Sequence, residues 1–124
     1  MLTRFEDLAF IETPGANASA PLATPSRGAQ AVSVIRQHQQ PGGTNPQHTH
    51  DVEEVMVLLA GELDVTAGGV SHTLRPGDSL ILPAGTSHHL ANQGVVPAEW
   101  LIIAPAGVKF FHANGEQGTP PWSL

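Results

Sequence analysis

Apolar positions along this chain alternate with polar ones or gather in short unbroken runs, and glycine or proline interrupts them every few residues. Period-two alternation marks a strand with one buried face, and a short apolar run bounded by turn residues marks a more deeply buried strand. On this basis strands are expected over residues 31–36, 54–60, 62–66, 70–74, 79–82, 87–92 and 99–104. Turns fall at Pro41-Gly42-Gly43, Pro76-Gly77-Asp78 and Pro83-Ala84-Gly85. Ala67-Gly68-Gly69 is a hairpin signal that pairs 62–66 with 70–74. No segment between the strands carries a convincing helical period. Parallel strands need crossovers of about a dozen residues or more, which these connections lack, so the sheet is expected to be antiparallel. The fold class is therefore all-β, a small sandwich or barrel of jelly-roll type.

The two ends are less regular. Residues 2–13 place Phe5, Leu8 and Ile11 at a spacing that suits a helical turn or a short strand, too short to fold alone. Residues 14–28, with three prolines and many small side chains, read as an extended arm or loop. The expected division is an N-terminal arm at 1–28, a barrel at 29–108 and a C-terminal extension at 109–124.

Composition narrows the function classes. The 124 residues suit one domain, and 13 glycines with 11 prolines describe a chain of many turns. Five basic residues against eleven acidic ones give a net charge of −6, a field that repels a phosphate backbone, so no nucleic-acid partner is expected. No run approaches the ~20 apolar residues of a membrane-spanning helix, so no membrane partner is expected either. Glu6 and Asp7 stand where a secretory signal needs an apolar run, and a cytoplasmic location is expected. With no cysteine, disulfides, thiolate metal sites and cysteine nucleophiles are excluded. Seven histidines outnumber the five lysines and arginines, which directs attention to imidazole chemistry.

His48, His50 and Glu54 share even parity, so on an extended chain they project from one face. Two imidazoles and a carboxylate suit Fe, Mn, Ni or Zn, with coordination positions left for substrate. Glu54 opens an apolar strand, where a carboxylate without a partner is costly and a cation is a ready partner. A fourth ligand is available from His88 or His89. His38, His72 and His112 are expected to be ordinary surface or hydrogen-bonded histidines. Met56 and Leu58 share the parity of Glu54 and are candidates for the core or the pocket lining. Arg36 and Gln37, like Trp100 and Leu101, occupy adjacent, opposite-facing positions, and either member of each pair is a candidate for the interior.

These residues also form two longer patterns. Gly42, five residues, His48-Thr49-His50, three residues, Glu54, six residues, Gly61 is the first; Gly77, five residues, Pro83-Ala84-Gly85, two residues, His88, three residues, Asn92 is the second. In order and spacing they resemble the two motifs of the cupin superfamily, in its small single-domain form. The resemblance implies a double-stranded β-helix (jelly-roll) barrel holding one divalent transition metal per chain, whether Fe, Mn, Ni, Cu, Co or Zn, through His48, His50, Glu54 and His88. It implies that Gly61 and Gly77 permit hairpin turns and that Gly85 delivers His88 inward; His89, of opposite parity to His88, is expected to face away from the metal.

Residues 105–111 also resemble the segment after the barrel in quercetinase-like dioxygenases. That points to a metal-dependent oxidoreductase acting on a small enolic or phenolic molecule, with Glu54 as the catalytic proton acceptor. Two alternatives share the ligand set: a non-redox isomerase, cyclase or lyase, and a non-catalytic small-ligand-binding protein. A homodimer is expected, because the N-terminal arm and residues 118–124 carry apolar groups that a small barrel covers poorly by itself.

Overall fold

A computed structural model describes residues 1–118, Pro120 and Trp122; Thr119, Pro121, Ser123 and Leu124 of the expected C-terminal extension lie outside the described residues. In chain order the strands are β1 (Ile11–Thr13), β2 (Asn17–Ala23), β3 (Val32–Gln39), β4 (His48–His50), β5 (Glu54–Ala60) and β6 (Leu63–Ala67). They are followed by β7 (Val70–Leu74), β8 (Ser79–Leu82), β9 (His88–Ala91), β10 (Ala98–Pro105), β11 (Phe110–His112) and β12 (Gln117–Gly118). Two single 3-10 turns, Phe5–Asp7 and Pro25–Arg27, interrupt this all-β pattern. No described helix is long and apolar enough to cross a membrane.

The strands form two six-stranded antiparallel sheets, ordered β1-β2-β3-β10-β5-β8 and β12-β11-β4-β9-β6-β7, in the jelly-roll arrangement expected for the fold class. Alternation decides which side chains meet between them. In β5, Glu54, Met56 and Leu58 are buried while Val55 and Val57 are only half-buried, and in β10 Ala98, Trp100, Ile102 and Ala104 point inward. Met56, Leu58, Leu63, Val65, Leu82 and Trp100 form the driest part of the core. The β6–β7 hairpin closes over Gly68 and Gly69, both with positive φ, as a two-residue turn demands. Gly61 ends β5 at φ +76°, and a Cβ there would run into the Pro97 carbonyl oxygen and the Ala98 backbone. At Gly61 the positive φ and the close approach together exclude a side chain.

The N-terminal region differs from its sequence reading. Residues 17–23, read as part of an arm or loop, form β2 and pair along β3, and β1 adds to β2. Its Asn, Ala, Ser and Pro residues have little intrinsic strand preference, so pairing with a ready edge decides their conformation. Pro21 sits where the register slips by a bulge, as its missing N–H requires. β3 likewise runs on to Gln39, because its polar end pairs with β10 on one side and β2 on the other.

Candidate metal centre and pocket

The side chains singled out at residues 48–54 meet by a different route than common strand parity. After β4 the chain bends at Asp51 and Val52, and β4 and β5 lie in opposite sheets. His48 and His50 come from one sheet, Glu54 from the other, and they face each other across the interior. His88 is the direct cross-strand partner of His48, on β9. Gly85 donates its N–H to the His50 carbonyl over 2.9 Å, tying the turn before β9 to β4.

The nitrogen donors of His48, His50 and His88 lie within 4.8 Å of one another. The His50 and His88 rings stack at 12°, with centroids 5.2 Å apart, and the His48 centroid is 4.3 Å from His88. Glu54 Oε2 stands 3.1 Å from His50 Nε2, yet neither atom makes a hydrogen bond.

Backbone carbonyls set the tautomers. His48 Nδ1 is 2.8 Å from the Pro46 carbonyl oxygen and His88 Nδ1 is 3.0 Å from that of Thr86. A carbonyl only accepts, so each Nδ1 carries the hydrogen and each Nε2 keeps a bare lone pair, the form in which imidazole ligates metal. Both ring nitrogens of His50 and Oε2 of Glu54 are buried without a partner. Burial then governs protonation. It lowers His48 to about 4, against the opposing Pro46 carbonyl and with His88 and His112 adding to the decrease. It lowers His50 to about 3, reinforced by His48 and His88, and it also lowers His88. It pushes Glu54 up to about 8. Three neutral imidazoles and an orphaned carboxyl oxygen fit a divalent transition-metal ion, which supplies the positive charge that the buried carboxylate lacks.

The other histidines lie outside this cluster, although His112 is the register partner of His48 on β11. His38 faces outward against Phe10, His72 and His112 are exposed, and His89 is half-buried on β9 opposite Thr66. Beside the cluster lies a cavity of about 280 Å³. Met56 lines it, whereas Leu58 belongs to the core alone. Of the ambiguous neighbours, Gln37 and Trp100 enter the pocket, while Arg36 turns outward to pair with Glu99.

Phe110 closes one side, its ring 4.9 Å from His48, and Trp122 packs on the core at the pocket edge. No lysine or arginine is among the described lining residues. Asn17, Ser19, Asn45 and Phe110 also line the cavity and were not singled out from the sequence. Period-two alternation carries no signal for Asn17 and Ser19, because their strand is invisible until it is paired.

Residues 35–104 match the Cupin domain family. Germin-like protein subfamily 2 member 1 of Arabidopsis thaliana is 40% identical over 106 residues, covering 78% of this chain and 48% of that protein. The chain spans about half the length of the curated relatives it matches. Among solved structures, the polyketide cyclase RemF from Streptomyces resistomycificus superposes with a TM-score of 0.76 at 22% identity, covering 87% of this chain and 82% of that one. An oxalate oxidase superposes with a TM-score of 0.74 at 25% identity, covering 87% of this chain and 61% of that one.

Proposed function

This chain belongs to the cupin family, and on that footing we propose that it is a metal-dependent enzyme of dioxygenase type. Its substrate on this reading is a flat, mostly apolar molecule carrying an enol or phenol oxygen. The observation that carries the reading is the juxtaposition of the His50 and Glu54 atoms, buried without a hydrogen bond, with an aromatic cavity that has no lysine or arginine among its described lining residues. A small dicarboxylate would find no cationic side chain in that wall, whereas an aromatic skeleton finds Met56, Trp100, Ile102 and Phe110.

His48, His50, His88 and Glu54 would hold the ion. A bound transition metal supplies Lewis acidity toward an enol or phenol oxygen and, where redox-active, one-electron chemistry with dioxygen. The chain's own groups do the rest. The Pro46 and Thr86 carbonyls hold two imidazoles in the ligating tautomer. Glu54, ionised once metal is loaded and when it is not a tight ligand, accepts the substrate's hydroxyl proton at its carboxylate oxygen. The apolar walls exclude water from the deprotonated skeleton.

Oxygen uptake by protein loaded in turn with Fe, Mn, Ni, Cu, Co and Zn, on a panel of enols and phenols, tests this. Consumption of dioxygen with substrate supports it. Turnover under argon transfers the protein to non-redox isomerase, cyclase or lyase chemistry on the same centre, and absence of turnover with bound metal makes it a binding protein.

Two further expectations belong to this reading. The outward face of the β1–β8 sheet exposes Val32, Leu59 and Ile81, which supports a homodimer. A chain without cysteine needs no oxidising compartment, which supports a cytoplasmic setting.

A further inference from the structure

One wall of the pocket carries a polar ladder that runs across three strands. Ser19 on β2 is the register partner of Gln37 on β3, and Gln37 is the register partner of Trp100 on β10. All three side chains line the cavity. They are linked in one direction. Trp100 Nε1 donates to Gln37 Oε1 over 3.0 Å, and Gln37 Nε2 donates to Ser19 Oγ over 2.9 Å.

An indole N–H is a donor only, so it sets the polarity of the whole ladder. The amide oxygen must face Trp100 and the amide nitrogen must face Ser19, which makes Ser19 Oγ an acceptor toward Gln37. The Ser19 hydroxyl hydrogen is then left without an acceptor among the described residues, as is the second N–H of Gln37. The ladder therefore ends in donors that face the cavity.

We propose that the Trp100–Gln37–Ser19 ladder is the part of the pocket that binds an uncharged acceptor oxygen, with the Ser19 hydroxyl donating to a ketone-type carbonyl on the substrate. Gln37 is the positioning residue that sets the polarity. The proposal rests on the reading of the cavity as the substrate pocket and narrows the substrate class to flat molecules with a carbonyl besides the enol or phenol oxygen. A carboxylate is disfavoured at this wall, because none of the described lining residues is a lysine or arginine.

Calorimetric titration of the metal-loaded protein with acetophenone and α-methylstyrene tests it. The two probes share a planar outline, and a CH2 group replaces the carbonyl oxygen in the second. Comparing the ratio of their dissociation constants between variants cancels each probe's own hydration. In Gln37→Glu the carboxylate accepts from both Trp100 and Ser19, so Ser19 turns its hydrogen away and shows the pocket only lone pairs. The ratio is expected to move about tenfold toward the hydrocarbon, as loss of a donor to a buried acceptor requires. Ser19→Ala, which leaves the Trp100–Gln37 bond intact, is expected to move it in the same direction by about threefold and carries the test should Gln37→Glu not fold. An equal ratio in wild type and both variants overturns the ladder while leaving the pocket in place. Failure of both probes to bind wild type overturns the pocket reading and the ladder together, and binding of the hydrocarbon without the ketone overturns the ladder.

Discussion

Glutamine in place of Glu54 isolates the cost of a charge buried without a partner. In the metal-free fold Glu54 is 2% exposed and burial raises it from 4.5 to about 8. Between those values the folded chain holds a proton that the unfolded chain has released, so raising the pH draws the equilibrium toward unfolding. Each pH unit in that window costs about 1.4 kcal/mol, and the whole window about 5 kcal/mol. The imidazoles act in the opposite sense. The unfolded chain protonates them near 6.5, whereas folded His48 and His50 resist until about 4 and about 3, so acid destabilises. Metal-free protein should therefore be most stable near pH 6.5 and lose about 1 kcal/mol between pH 6.5 and pH 8, because the residual titration of the imidazoles offsets part of a Glu54 cost of about 2 kcal/mol. That is a measurable part of the roughly 5–15 kcal/mol that holds a domain together.

Urea unfolding of chelator-treated protein, followed by tryptophan fluorescence, measures this directly. Glu54→Gln, neutral at every pH, should show no such decline between pH 6.5 and pH 8. Parallel pH profiles for the two proteins over that interval would refute the burial argument.

The same proton couples to metal binding. Loading metal at neutral pH should expel about one proton per chain in wild type and none in Glu54→Gln, and wild-type affinity should fall about tenfold per pH unit below 8; titration calorimetry in buffers of different ionisation enthalpy counts the protons. His50→Ala should abolish stoichiometric metal in elemental analysis while leaving the β-sheet circular dichroism intact, because neither ring nitrogen holds a protein partner. Gly61→Ala should cost about 2 kcal/mol or more in urea unfolding, since it forces a side chain into positive φ against the Pro97 carbonyl. Sedimentation at micromolar concentration should give about 26 kDa, twice the 13.0 kDa of one chain; a 13.0 kDa species would dispose of the dimer.

Strand-forming patterns were legible where apolar residues run together or turn residues bracket a short segment. β5 and β10 were expected from their apolar runs, and β6, β7 and β8 from the glycine and proline turns beside them, since both are local properties of the chain. Antiparallel pairing followed from connection length alone. The metal-ligand candidates were legible for another reason: imidazole and carboxylate side chains at fixed spacing are rare enough to stand out without knowledge of the fold.

Only tertiary structure decided the rest. β1 and β2 consist largely of residues with weak strand preference and exist because β3 offers an unpaired edge, so the wall carrying Asn17 and Ser19 could not be read beforehand. The same pairing settled which member of each adjacent pair faces inward, sending Gln37 and Trp100 to the pocket. Parity placed His48, His50 and Glu54 on one strand face, whereas the chain changes sheets between them and they converge across the interior. Protonation was set in the same way. An isolated histidine titrates near 6.5, and it is burial among apolar neighbours, a property of the assembled sheets, that keeps His48 and His50 neutral and leaves Glu54 in need of a cation.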